Sequence, residues 1–186
     1  MPILTWCLQN QGISPIAPQQ ADVTRIPRRL DRESRLRAVL TLYPCDILFV
    51  HRDAEGQTPV LRRNEIATSL RWSTVPHVPV VPVRMTEAWL LADASAIRFA
   101  AGNPNGTADL GLPELRRLEA VPDPKQVLHE ALRRASGLNA RRRALIPIAQ
   151  RVHRIPQYID DFSRLNALRA FRLLQEDIRI AIQNLS

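Results

Sequence analysis

Lysine is almost missing from these 186 residues: Lys125 stands alone beside 25 arginines. Cysteine is nearly as scarce, with only Cys7 and Cys45, both in apolar contexts. Two cysteines cannot frame a disulfide-dense secreted scaffold, and they suit reduced thiols in a cytoplasmic protein. Neither shares a metal-ligand spacing with any of the four histidines, which argues against a zinc centre. No apolar run approaches the roughly 20 residues that cross a bilayer, so no membrane association is expected. The Ile3 to Leu8 stretch has no basic lead-in and is too short for a signal peptide. Internal repeats and low-complexity tracts are missing as well.

What is present is ordinary in bulk and unusual in detail. Apolar content of 45% and charged content of 24% fit a globular chain long enough for a real core. The net charge is +8, and it is uneven. Residues 1–110 carry 12 basic and 10 acidic groups, net +2; residues 111–186 carry 14 and 8, net +6. Guanidinium forks match phosphates, and a basic face is the electrostatic footprint of nucleic-acid binding. Arg141, Arg142 and Arg143 are the one tight cluster and the candidate nucleic-acid contacts. Elsewhere the arginines are dispersed, which equally suits solvated helix faces.

One stretch organises the rest: Cys45-Asp46-Ile47-Leu48-Phe49-Val50-His51-Arg52-Asp53-Ala54-Glu55-Gly56. The apolar run Ile47 to Val50, bounded by polar and turn residues, reads as a buried strand of a parallel sheet. Ligands of open α/β sheets bind beyond the carboxyl ends of the strands. Side chains at i and i+2 of an extended segment point the same way, so Asp53 and Glu55 converge there. Two carboxylates suit a hard divalent cation, Mg²⁺ or Mn²⁺. A solvated acidic turn is the plainer alternative.

In chain order, a helix opens at Pro2 with Ile3, Leu4, Cys7 and Leu8 on one face, and Gly12 ends it. A weak strand is expected around Ala21 to Ile26. Asp31 caps a helix bearing Leu36, Val39, Leu40 and Tyr43, which Pro44 stops. A helix from about Pro59 to Leu70 follows the key strand. His77 to Arg84 is valine-rich but carries Pro79 and Pro82, which demotes it to an edge or extended segment. Thr86 is placed to cap the next helix, with Glu87 in its first turn and an apolar body from Trp89 to Phe99. A short helix is expected near Pro113 to Leu118. Asp123-Pro124 starts a helix that Gly137 closes, another spans about Pro147 to Arg154, and the last runs from about Phe162 to Gln183.

The segments "DILFVHRDAEG" and "VPVRMTEAWLLAD", followed by "DPK" opening a helix, resemble a bacterial Toprim-like domain-of-unknown-function family similar to the RloB proteins. In those chains a strand ends in an acidic pair, matched by Asp53 and Glu55. A later helix begins with a glutamate near a tryptophan, matched by Glu87 and Trp89. The resemblance covers roughly residues 45–135. It implies an α/β fold with a small, mostly parallel sheet flanked by helices. Residues 1–110 would form the Toprim-like core, and residues 111–186 a basic helical extension packed on it. One departure is that the family's first strand, bearing a glutamate, precedes the first helix, whereas this chain starts at that helix.

The resemblance also implies an activity: magnesium-dependent cleavage of nucleic-acid phosphodiesters by a toxin nuclease of phage defence, encoded beside an ATPase. Asp53 and Glu55 would ligate the metal, and Glu87 would complete its shell or act as general base. Arg52, Arg84 or Lys125 would offset charge on the phosphate. Two plainer readings stand beside these roles: Glu87 as an acid at a helix N-terminus, and Lys125 as a surface lysine. Of the histidines only His51 lies beside the proposed site. The competing function is a non-catalytic, regulatory partner of an ATPase, or a nucleic-acid binder with a degenerate site. The sequence leaves DNA, tRNA and a small phosphoester open as substrate.

Overall fold

Ile47 to Val50 alternates between two apolar neighbourhoods, and the architecture follows from that. The computed structural model of the chain describes residues 2–54, 57–83 and 86–185. Strand β1 (Leu48–His51) pairs in parallel with β2 (His77–Val80), with Leu48 opposite His77 and His51 opposite Val80. Helix α3 (Pro59–Ser69) makes the crossover between them, with Thr58 as its cap and Pro59 at its first position. Ile47 and Phe49 pack on the large core, while Leu48 and Val50 pack on a smaller cluster with Ile66 and Leu70. The result is a mixed α/β protein whose two-stranded parallel sheet is flanked by helices.

Leu48 N–H donates to Pro76 O at 2.9 Å and Arg52 N–H to Val80 O at 3.0 Å. That alternation turns the nitrogen of Pro79 away from β1, so its missing N–H costs the ladder nothing. The strand ends at Val80, four residues before the expected limit at Arg84. β1 is also less buried than expected: Leu48, Phe49 and Val50 are half-buried and His51 is exposed. With one ladder neighbour each among the described residues, neither strand is enclosed in the way a central strand would be.

The remaining helices form the bulk. They are α1 (Pro2–Asn10), α2 (Arg32–Leu42), α4 (Glu87–Leu90), α5 (Ala94–Ala101), α6 (Pro124–Ala135), α7 (Ala140–Arg143), α8 (Ile148–Arg154) and α9 (Arg169–Gln183). Leu4, Cys7 and Leu8 of α1 are buried with Leu128, Leu132, Phe171 and Ile178, so one core joins residues from both ends of the chain. At its centre Trp89 meets Phe171 edge-on at 5.7 Å, and Trp6 meets Phe162 edge-on at 6.0 Å. Trp89 is a core residue. Burial pushes the Cys7 thiol up to about 12, which keeps it protonated and inert.

Several expected elements differ, each for a local reason. The strand around Ala21 to Ile26 is instead a single 3-10 turn, Val23–Arg25. Asp22 accepts from both Thr24 N–H and Thr24 Oγ1, a local arrangement that competes with extended backbone. The single helix expected from Thr86 to Phe99 is two. Asp93 accepts from Ala96 N–H at 2.9 Å and restarts the chain as α5. Gly102, at φ 78°, then ends α5 in the left-handed conformation that favours glycine. The short helix expected near Pro113 to Leu118 is a 3-10 helix, Leu115–Ala120. The last helix begins at Arg169, because Leu168 is extended and a separate 3-10 turn, Ser163–Ala167, precedes it.

Leu168 has no side chain that can cap. Glu119 reaches across from the 3-10 helix and accepts from Arg169 N–H at 3.0 Å and Ala170 N–H at 2.7 Å. The first turn of α9 is therefore capped from 50 residues away, and no local signal announces it.

Candidate active site at the carboxyl edge of the sheet

At the end of β1 and just past it, the chain carries His51 and Asp53 on one side of the extended backbone. The same i, i+2 argument that pairs Asp53 with Glu55 also pairs Asp53 with His51. The His51 ring nitrogen Nε2 lies 3.5 Å from Asp53 Oδ1 and 2.9 Å from Thr86 Oγ1. Thr86 was expected to cap α4. Its hydroxyl is hydrogen-bonded to His51, and it makes no side-chain cap bond. One ring nitrogen faces both partners, so the three do not form a relay in which each nitrogen serves a different group. They hold the imidazole at the mouth of the sheet edge, with its side chain about half exposed.

Glu87 opens α4, directly after Thr86, at the same edge. Its charge is felt by His129 on α6, which packs against α4. Burial lowers the His129 titration most, Lys125 and Arg133 one turn away on either side lower it further, and Glu87 and Asp123 oppose them. Lys125, His129 and Arg133 are spaced i, i+4, i+8 and form one stripe on α6. Lys125 is exposed, one turn before His129 on this stripe. Neither Thr86 nor His129 figured among the expected site residues. The four-residue spacing from Lys125 was the available signal for His129; nothing local signalled the Thr86–His51 bond.

Arg52 points to the other side of the backbone. Its Nη1 lies 2.9 Å from Glu65 Oε2 on α3. Glu55 and Arg84 lie outside the described residues. Among the described residues no group of three His, Cys, Asp or Glu side chains is arranged to hold a metal ion. Asp53 and Glu87 are the carboxylates here of the type a hard cation takes.

The arginine triplet sits elsewhere, on the one-turn helix α7 capped by Asn139. Arg141 and Arg142 are exposed, whereas Arg143 Nη2 donates to Leu138 O at 2.9 Å. Other arginines do similar structural work: Arg151 donates to Ala100 O and Arg98 to Ala108 O, both at 2.8 Å. These three arginines therefore hold backbone carbonyls. No helix among the described residues is long and apolar enough to cross a membrane. Set against known proteins, the chain matches no family model, no curated protein and no solved structure.

Proposed function

We propose that this chain is a Toprim-like, metal-dependent phosphodiesterase acting on nucleic acid, the nuclease effector of an ATPase-associated phage-defence system. The observation that carries this reading is the meeting of His51, Asp53 and Thr86 at the carboxyl end of a parallel strand pair, with Glu87 following at once. This is the edge where open α/β sheets hold ligands. Mg²⁺ or Mn²⁺, when bound, would polarise a phosphoryl oxygen and orient a water. Asp53, with Glu55 and Glu87, would hold the cation. His51, oriented by Thr86, is placed to accept a proton from the attacking water. Lys125 on α6, with Arg84, would offset charge on the phosphate. Arg141, Arg142 and Arg143 would contact the backbone of DNA or tRNA, with an affinity that falls as salt rises.

Thermal denaturation with and without Mn²⁺, paired with cleavage of DNA and tRNA, tests the reading. Metal should raise the melting temperature of the wild type and not of Asp53→Asn, and cleavage should need both metal and Asp53. Equal metal responses in the two proteins, with no cleavage by either, would remove it. A second reading, a non-catalytic regulatory partner of an ATPase, draws on the sheet: each strand has a single ladder neighbour among the described residues, and an open edge accepts an added strand. ATPase binding that is indifferent to Asp53→Asn would favour it.

A further inference from the structure

Strand β1 and the helix that leads into it are both short of neighbours. Val78 and Val80 of β2 are 0% and 5% exposed, whereas Leu48, Phe49 and Val50 of β1 are only half-buried. Helix α2 carries Leu36, Val39, Leu40 and Leu42, yet none of its 11 residues is buried. A helix of that length ordinarily buries an apolar stripe against the core. Leu36 reaches the small cluster that Leu48 and Val50 also join, and the other apolar residues of α2 stay half-covered or exposed.

The backbone shows which edge of the sheet is open. Leu48 and Arg52 donate to β2, so the N–H and C=O groups of Phe49 and His51 face away from it. Among the described residues no hydrogen bond reaches those four groups. On the far edge of β2 lies Pro79, which has no N–H to offer an added strand. A proline blunts one edge, and an unpaired row of donors and acceptors marks the other.

Charge selects the occupant. Helix α2 holds Arg32, Glu33, Arg35 and Arg37 in its first half, while residues 38–45 carry no charge. Two copies laid antiparallel place each charged half beside the other's uncharged half, so the arginines of the two helices stay apart. The strands agree. Asp46 precedes the apolar run and Arg52 follows it, so antiparallel pairing brings opposite charges together at both ends. One two-fold axis serves strand and helix at once, because α2 and β1 adjoin the same small cluster.

We propose that a second copy of this chain pairs antiparallel with β1, edge to edge, so that one continuous sheet runs through a dimer and the two α2 helices cover its junction. The contact goes beyond the nuclease reading and does not depend on it. It gives to a like chain the edge that the regulatory reading leaves to an ATPase.

Sedimentation velocity of the full chain over a concentration series tests this, with residue-level hydrogen exchange at both ends of the series and neither metal nor nucleic acid present. The wild type should pass from monomer to dimer, and exchange at Phe49 and His51 N–H should slow as it does. Val50 N–H, turned to β2, should show no such dependence. His51→Pro should weaken the dimer about thirty-fold, because the two-fold axis removes the same hydrogen bond twice. Leu40→Glu on α2 should weaken it as well, and keeps the test open should the proline variant not fold. Leu145→Gln, at an apolar side chain 79% exposed and outside this surface, should leave association unchanged. A monomer at every concentration would overturn the proposal. So would a dimer whose Phe49 and His51 amides exchange as fast as in the monomer, or one that Leu145→Gln weakens as much as His51→Pro.

Discussion

The two faces of the small sheet are built on opposite plans. On one side Phe49, Val78 and Val80 join a continuous apolar core that runs through Trp89, Leu128, Phe171 and Ile178. On the other, the buried residues are few, Ala54, Ile66, Leu70 and Val81, and charge rings them. Glu65, with Arg32, Arg52 and Arg62 around it, lies on this second side. Arg63 of α3 pairs with Asp177 of α9 through two contacts of 2.5 and 2.6 Å, and Arg37 of α2 stacks 3.9 Å from the Trp72 ring. Burial scales with apolar area, so the first face supplies most of the folding free energy. The second face is free to hold charge at the edge where ligands meet an α/β sheet.

The sharpest way to break the comparison is at the centre of the large core. Phe171→Ala should cost about 3–5 kcal/mol, enough to unfold a marginal domain, because an aromatic with two ring partners is removed. Urea denaturation measures it. Ile66→Ala, in the small cluster, should cost about 2–3 kcal/mol, the low end for such a change, since fewer buried neighbours surround it. If the two substitutions cost the same, the two faces contribute alike and the contrast fails.

Two smaller effects sharpen it. Glu119→Ala leaves Arg169 and Ala170 N–H without their carboxylate and should cost about 1 kcal/mol, the usual loss of a helix cap. Hydrogen exchange should rise in the first turn of α9 and not in α6. The smallest effect is one of pH. Burial holds His77 below its ordinary value of 6.5, against a hydrogen bond to Val75 and the charge of Asp177. The folded state therefore binds fewer protons than the unfolded state just below that value, so stability falls as pH drops through 6.5 and onward through the lowered value. Above 6.5 the term vanishes. His77→Gln should flatten the slope, leaving the part contributed by His129, whose titration is lowered in the same direction.

Much of this was legible because it is local. Asp31 caps α2 through Ser34 N–H and Asp123 caps α6 through Gln126 N–H, each where the sequence places a cap before an apolar periodicity. The parallel strand pair joined by a helix was legible from Ile47 to Val50 and from the valines at 78 and 80. Local reading failed where two local signals competed. Asp22 bonding Thr24 replaced a strand, and Asp93 bonding Ala96 split a helix. Where cap positions and hydrophobic spacing agreed, as at α2, α6 and β1, they determined whether the segment is helix or strand, since both depend on residues within a turn or two.

Tertiary structure decided the partners. No spacing rule brings Glu119 to the first turn of α9, Thr86 to His51, or Arg32 and Arg52 to the Glu65 carboxylate, because each contact joins separate elements; Arg62, three residues before Glu65 on α3, is within reach of one. The sequence assigned Arg52 to the Asp53 side by proximity, and the fold turned it to Glu65, since successive side chains on extended backbone face opposite ways. Charge composition likewise pointed to the basic half after residue 110. The fold instead ties several of those arginines to backbone carbonyls, and brings Arg32, Arg52 and Arg62 around Glu65 in the half that is nearly neutral by count. Long-range packing can do this because a charge is positioned by the element that carries it, and elements are positioned by the apolar residues on their opposite faces.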